Sequence, residues 1–129
     1  MKAARVVARR KIEFMEVPEP SPLKTGEVLI KLESLSICGS DIYLEYDAAL
    51  PEEDYPFLPG APMHECAGVV VDSRDPDYKT GQRVIVIPRD VAGMQEQVVQ
   101  TADRLIKLPD WGELSEWVMC QHSGTALFS

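Results

Sequence analysis

The chain has 129 residues, with 13 Lys and Arg against 21 Asp and Glu, two His and three Cys. The formal charge of −8 argues against a nucleic-acid partner, because phosphate binding needs clustered Lys and Arg, and no apolar run approaches the ~20 residues of a membrane span. The length suits one domain with a real core and leaves no room for a catalytic domain joined to a complete dinucleotide-binding one.

In chain order, the basic N-terminus lacks the apolar stretch and cleavage site of a secretory signal, and an odd number of cysteines reads as reduced thiols in a cytoplasmic protein. Ala4 to Ala8 is a short apolar run. Ile12, Phe14 and Glu16 alternate with charge, which predicts a half-buried strand. Pro18, Pro20 and Pro22 then remove backbone donors and break the ladder. From Gly26, the apolar Val28, Ile30 and Leu32 alternate with Lys31 and Glu33, a period-two strand. Cys38-Gly39-Ser40-Asp41 follows, and Ser40 or Asp41 is placed to cap a short helix over Ile42 to Tyr46. Asp47 to Pro62 is a long proline-rich loop, of a length that compact domains keep for function.

Ala67 to Val71, Val84 to Ile87, Gln95 to Gln100 and Leu105 to Leu108 read as further strands. Leu114 to Cys120 and Thr125 to Phe128 read as the starts of helices. Many short strands between Gly and Pro turns, with no βαβ alternation, predict a mainly β fold, a barrel or sandwich with a few short helices.

The histidines and cysteines fall at three places: Cys38, the His64-Glu65-Cys66 cluster, and Cys120 with His122. Thiolate sulfur and imidazole nitrogen suit zinc, and catalytic zinc keeps three protein ligands and one open position. Spacing alone leaves the alternative that the cysteines are small buried hydrophobes and His64 a satisfied core residue.

The words around these residues are more specific. Gly26-Glu27-Val28-Leu29-Ile30-Lys31, Ser36-Ile37-Cys38-Gly39-Ser40-Asp41, Pro59 to Val70 with His64-Glu65 at its centre, Gly81-Gln82-Arg83-Val84, and Ala102 to Asp110 occur in order along the chain. Together they resemble the zinc-dependent medium-chain alcohol dehydrogenases, in the polyol, threonine and glucose dehydrogenase branch.

The resemblance implies a GroES-like, partly open β-barrel over residues 1–129. It also implies zinc-assisted hydride transfer between a small alcohol and NAD(P), with the metal as a Lewis acid that lowers the pKa of the substrate hydroxyl. It makes Cys38 and His64 ligands and Glu65 a carboxylate on or beside the metal. Ser40 becomes the hydroxyl that receives the alcohol proton, and Asp41 the carboxylate that orients His64. Met63 stands where the family usually has Gly, and its side chain is expected to disturb the loop presenting His64. Gln82 replaces an Asp of the family's turn. Tyr43 stands where some members place a relay histidine, and reads instead as a helix residue packed on the core.

The family's third ligand position aligns with Gln121, a poor zinc ligand. Either Cys120 ligates after a one-residue shift, or the site has Cys38 and His64 plus Glu65. The four cysteines of the family's structural zinc are missing, so one catalytic zinc is expected. No G-x-G-x-x-G is present, so the chain holds no residues for NAD or NADP. The expectation is therefore a fragment that stops before the family's Rossmann domain. It would be inactive alone and inclined to self-associate through apolar surface left uncovered. Two alternatives are a free-standing GroES-like binding or assembly module without metal, and a metal-free enzyme similar to the zinc-free quinone reductases.

Overall fold

The computed structural model describes residues 1–128. Two antiparallel strands, β1 (Lys2–Ala8) and β2 (Lys11–Glu16), form a ribbon. Five more strands form one antiparallel sheet: β3 (Glu27–Ser36), β4 (Glu65–Ser73), β5 (Arg83–Val86), β6 (Gln97–Thr101) and β7 (Leu105–Lys107). Its order is β6-β3-β4-β5-β7, and the outer strands β6 and β7 do not pair with each other. The mainly β, partly open barrel expected of a GroES-like domain is the observed architecture. Two helices, α1 (Leu114–Trp117) and α2 (Cys120–Phe128), close the chain. No helix among the described residues is long and apolar enough to cross a membrane.

Period-two alternation in the central strands supplies two cores, one on each face of the sheet. Val28, Ile30, Cys66, Val70, Val84, Val86, Val98 and Leu105 form the larger cluster. The intervening residues Ala67 and Ile85 face the other way, where Val118, Leu114 and Trp117 cover them. Gly68 lies in register with Leu32 of β3, and a Cβ there would collide with the Lys31 carbonyl. Only glycine lets β3 and β4 approach at that point.

The register explains how distant residues meet. β3 ends and β4 begins at the same level, with Ser36 paired to Glu65. Cys38 lies just beyond one strand end and His64 just before the other, so the ladder brings them together across the long intervening loop.

Four expectations need correction. β2 exists, but it is not half-buried: Ile12 is 45% and Phe14 87% exposed. Among the described residues, no layer lies over that side of the ribbon. Tyr43 does not pack on the core either, being 77% exposed. It sits in a six-residue π-helical turn, Asp41–Tyr46, closed by an Asp47 N–H to Ile42 carbonyl bond that spans five residues. Nor does a side chain cap that turn, because Ser40 makes no capping bond and the Asp41 carboxylate is used elsewhere. The final helix begins at Cys120, earlier than Thr125.

Candidate metal centre

Asp41 organises the site. It is 3% exposed, and its two carboxylate oxygens serve two different segments. Oδ2 accepts the Cys38 backbone N–H at 2.9 Å, and Oδ1 lies 2.9 Å from His64 Nδ1. The first contact fixes the turn after β3. The second occupies one ring nitrogen of His64 and leaves Nε2 as the nitrogen free to ligate. Ser40 precedes Asp41 at the mouth of the same turn.

Cys38, His64 and Glu65 each offer a donor atom, and these three atoms lie within 4.8 Å of one another. Glu65 is buried, while Cys38 and His64 are half-buried. Sulfur, imidazole and carboxylate in one cluster, opening toward solvent, form a donor set suited to zinc. The surroundings fit a cation as well. Glu45 Oε2 is buried with no hydrogen-bond partner, while Asp41 Oδ1 and Glu65 Oε2 meet only the imidazoles of His64 and His122, and three buried carboxylates so close together are costly. Glu45 is pushed above its usual carboxylate range, first by burial and then by the charge of Asp41. Sequence reasoning passed over Glu45, although its position four residues after Asp41 marks it as a candidate neighbour on a helical turn.

Met63, expected to disturb the His64 loop, is accommodated. Its N–H donates to the Val91 carbonyl at 2.6 Å and its carbonyl accepts from Gly93 at 2.9 Å. Its side chain lines an apolar cleft with Val6, Ile42 and Met94, beside Asp41. His64 keeps its place against Asp41.

Residues 24–127 match the family model of the alcohol dehydrogenase GroES-like domain. The chain belongs to that family. It is 36% identical over 100 residues to the sorbitol dehydrogenase of Bacillus subtilis, a match covering 74% of this chain and 27% of the relative. It is 41% identical over 87 residues to an uncharacterized zinc-type alcohol dehydrogenase-like protein of Escherichia coli, covering 65% and 24%. The crystal structure of 2R,3R-butanediol dehydrogenase from Bacillus subtilis has a TM-score of 0.79 and 28% identity, covering 98% of this chain and 45% of that one. The chain thus spans less than half the length of each of these relatives. Alignment with the (R,R)-butanediol dehydrogenase of the same organism runs over 161 residues, more than the 129 here, so that relative carries segments this chain lacks.

In this GroES-like alcohol dehydrogenase domain, the three candidates for the third donor fare differently. Cys120 is exposed at the first position of α2 and lies outside the three-donor cluster. Gln121, one residue on, turns inward. Its Oε1 accepts the Cys66 N–H at 3.0 Å and its Nε2 donates to the His64 carbonyl at 3.2 Å. The amide is therefore committed to β4 backbone. Glu65 is the candidate that the fold brings to Cys38 and His64. Cys66, next in sequence, faces the core at 0% exposure, and burial pushes its thiol up to about 12, so it stays an inert packing residue.

Sequence reading paired His122 with Cys120 but gave it no role. In the structure, His122 Nε2 lies 2.7 Å from Glu65 Oε2. Its place in the first turn of α2, one residue after Gln121, is the signal that could have found it.

Proposed function

We propose that the chain is the catalytic, zinc- and substrate-binding domain of an NAD(P)-dependent alcohol or polyol dehydrogenase. The observation that carries this reading is the convergence of Cys38, His64 and Glu65 donors within 4.8 Å, in a domain whose relatives include a sorbitol dehydrogenase and a butanediol dehydrogenase.

Cys38, His64 and Glu65 would hold the metal. Zinc bound there supplies Lewis acidity toward an alcohol oxygen. The chain's own residues do the rest. Asp41 keeps His64 in one tautomer and fixes the Cys38 turn, so both donors are positioned before any ligand arrives. Ser40, at the mouth of the turn, is the hydroxyl that accepts the substrate proton and passes it toward solvent. The three cysteines of this chain are the only ones in the sequence, and Cys66 is sealed in the core. One catalytic zinc and no structural zinc is the expectation, because residues 84–97 contain none of the closely spaced cysteines a structural zinc needs.

The sequence contains no G-x-G-x-x-G turn for a dinucleotide. Hydride transfer needs a nucleotide-binding domain, and the isolated 129-residue chain is expected to be inactive. Exposed Phe14, Ile37 and Leu44 support a further reading, that apolar surface left open in the isolated chain promotes self-association.

Metal analysis of the chain, purified without a histidine tag and reconstituted with zinc, tests the reading. The expected result is about one equivalent of zinc, lost in Cys38→Ser and His64→Ala variants that remain folded. A folded parent chain that takes up no zinc would favour the metal-free binding module. Strong alcohol-dependent reduction of NAD by the isolated chain would overturn the expected inactivity.

A further inference from the structure

The first turn of α2 grips Glu65 at three points. Gln121 takes the His64 carbonyl and the Cys66 N–H, the two backbone groups that flank residue 65. His122 takes the side chain, with Nε2 at 2.7 Å from Oε2. This contact is well shielded, the two side chains being 30% and 5% exposed. Neither Glu65 Oε2 nor His122 Nδ1 has a hydrogen-bond partner, so the pair meets as a close Nε2···Oε2 contact. An imidazole nitrogen 2.7 Å from one carboxylate oxygen restricts the rotation of that carboxylate and leaves the other oxygen pointing in a defined direction. This is the arrangement that orients a ligating carboxylate.

We propose that His122 is a positioning residue for Glu65: it holds one carboxylate oxygen so that the other completes the donor set with Cys38 and His64. The Gln121 amide anchors the same peptide and stays off the metal. The α2 start thus contributes to the centre without supplying a ligand of its own. This inference rests on the zinc reading above.

The test uses the full chain and cobalt(II) in place of zinc, because cobalt reports its ligands by colour. Affinity is read by competition with a chromophoric chelator, and thiolate ligation by the sulfur-to-cobalt charge-transfer band. His122→Ala is expected to keep that band, alter the ligand-field bands, and weaken cobalt and zinc binding by about 10–100-fold. His122→Gln, which retains an N–H donor, should recover most of the loss. In a Glu65→Ala background, His122→Ala should cost nothing further, because its action passes through the carboxylate. The positioning role falls if His122→Ala and His122→Gln both bind cobalt as the parent does with unchanged ligand-field bands. It falls equally if His122→Ala costs the same without Glu65, which would make His122 a ligand or a general structural support. If the parent itself shows no thiolate charge transfer, the zinc reading fails, and the positioning role fails with it.

Discussion

Val28 and Ile30 of β3 have no contact with water, whereas on β2 Phe14 stays 87% exposed and Ile12 45%. The difference follows from what lies over each strand. β3 is paired on both edges, with β4 and β6, and its apolar face meets Val70, Val84, Val86 and Val98. β2 is paired only with β1. The ribbon as a whole is attached through β1, where Ala3, Ala4 and Val6 are buried. Backbone bonds help: Ala4 donates to Met94 at 2.8 Å and Val6 to Ala61 at 3.2 Å. At its turn, the Arg10 N–H donates to the Tyr46 carbonyl at 2.7 Å, and the guanidinium grips Asp47 at 2.6 and 2.7 Å. One region is held by buried aliphatic surface and the other chiefly by polar contacts at its margins.

Three substitutions can break or sharpen this contrast. The largest effect is expected from Ile30→Ala, which leaves a cavity where three strands meet. It should lower unfolding stability by about 2–5 kcal/mol, measured by urea titration. A loss no greater than that of a surface variant would mean that the sheet is not the stabilising unit. Phe14→Ser comes next, expected to stay within about 0.5 kcal/mol of the parent. A much larger loss would show that the outer face of β2 is covered in solution, by another copy or another segment.

The smallest effect concerns the turn of the ribbon. Arg10, and then Arg9, hold the Asp47 carboxyl below its usual range. The folded chain therefore binds that proton less readily than the unfolded chain does. The stability this adds is complete above the ordinary aspartate pKa of about 4 and disappears as pH falls through the depressed folded value. Because Asp47 and Arg10 are in contact with solvent, the contribution is weak and screened by salt. Asp47→Asn should flatten the acid limb of the thermal midpoint slightly, with little change near neutral pH. An unchanged acid limb would discount the ion pair.

The same contrast shows what could be read from the chain in advance. Alternation in Val28–Leu32 and in Ile12–Phe14 marks both as strands, because it reports which way successive side chains point. It does not report what covers them, and so it misplaced the burial of β2. Cys38, Asp41, His64 and Glu65 were legible because short local words carry them, and the strand register then brings those words together. Tyr43 was misjudged because the turn that holds it is a π-turn, which changes the angular phase of each residue and is not signalled by composition. His122 went unassigned because its contact with Glu65 depends on where α2 begins. Starting at Cys120 places that residue in solvent and brings the next two residues against β4.

Asp41 has a further consequence for the segment between the two ligand words. Since one carboxylate spans Cys38 N–H and His64 Nδ1, the separation of those donors is set by a side chain a few ångströms long. It does not depend on the path the chain takes between them. Residues 48–59 therefore do not by themselves set that separation, although the Phe57 N–H ties the loop to β1 through the Val6 carbonyl.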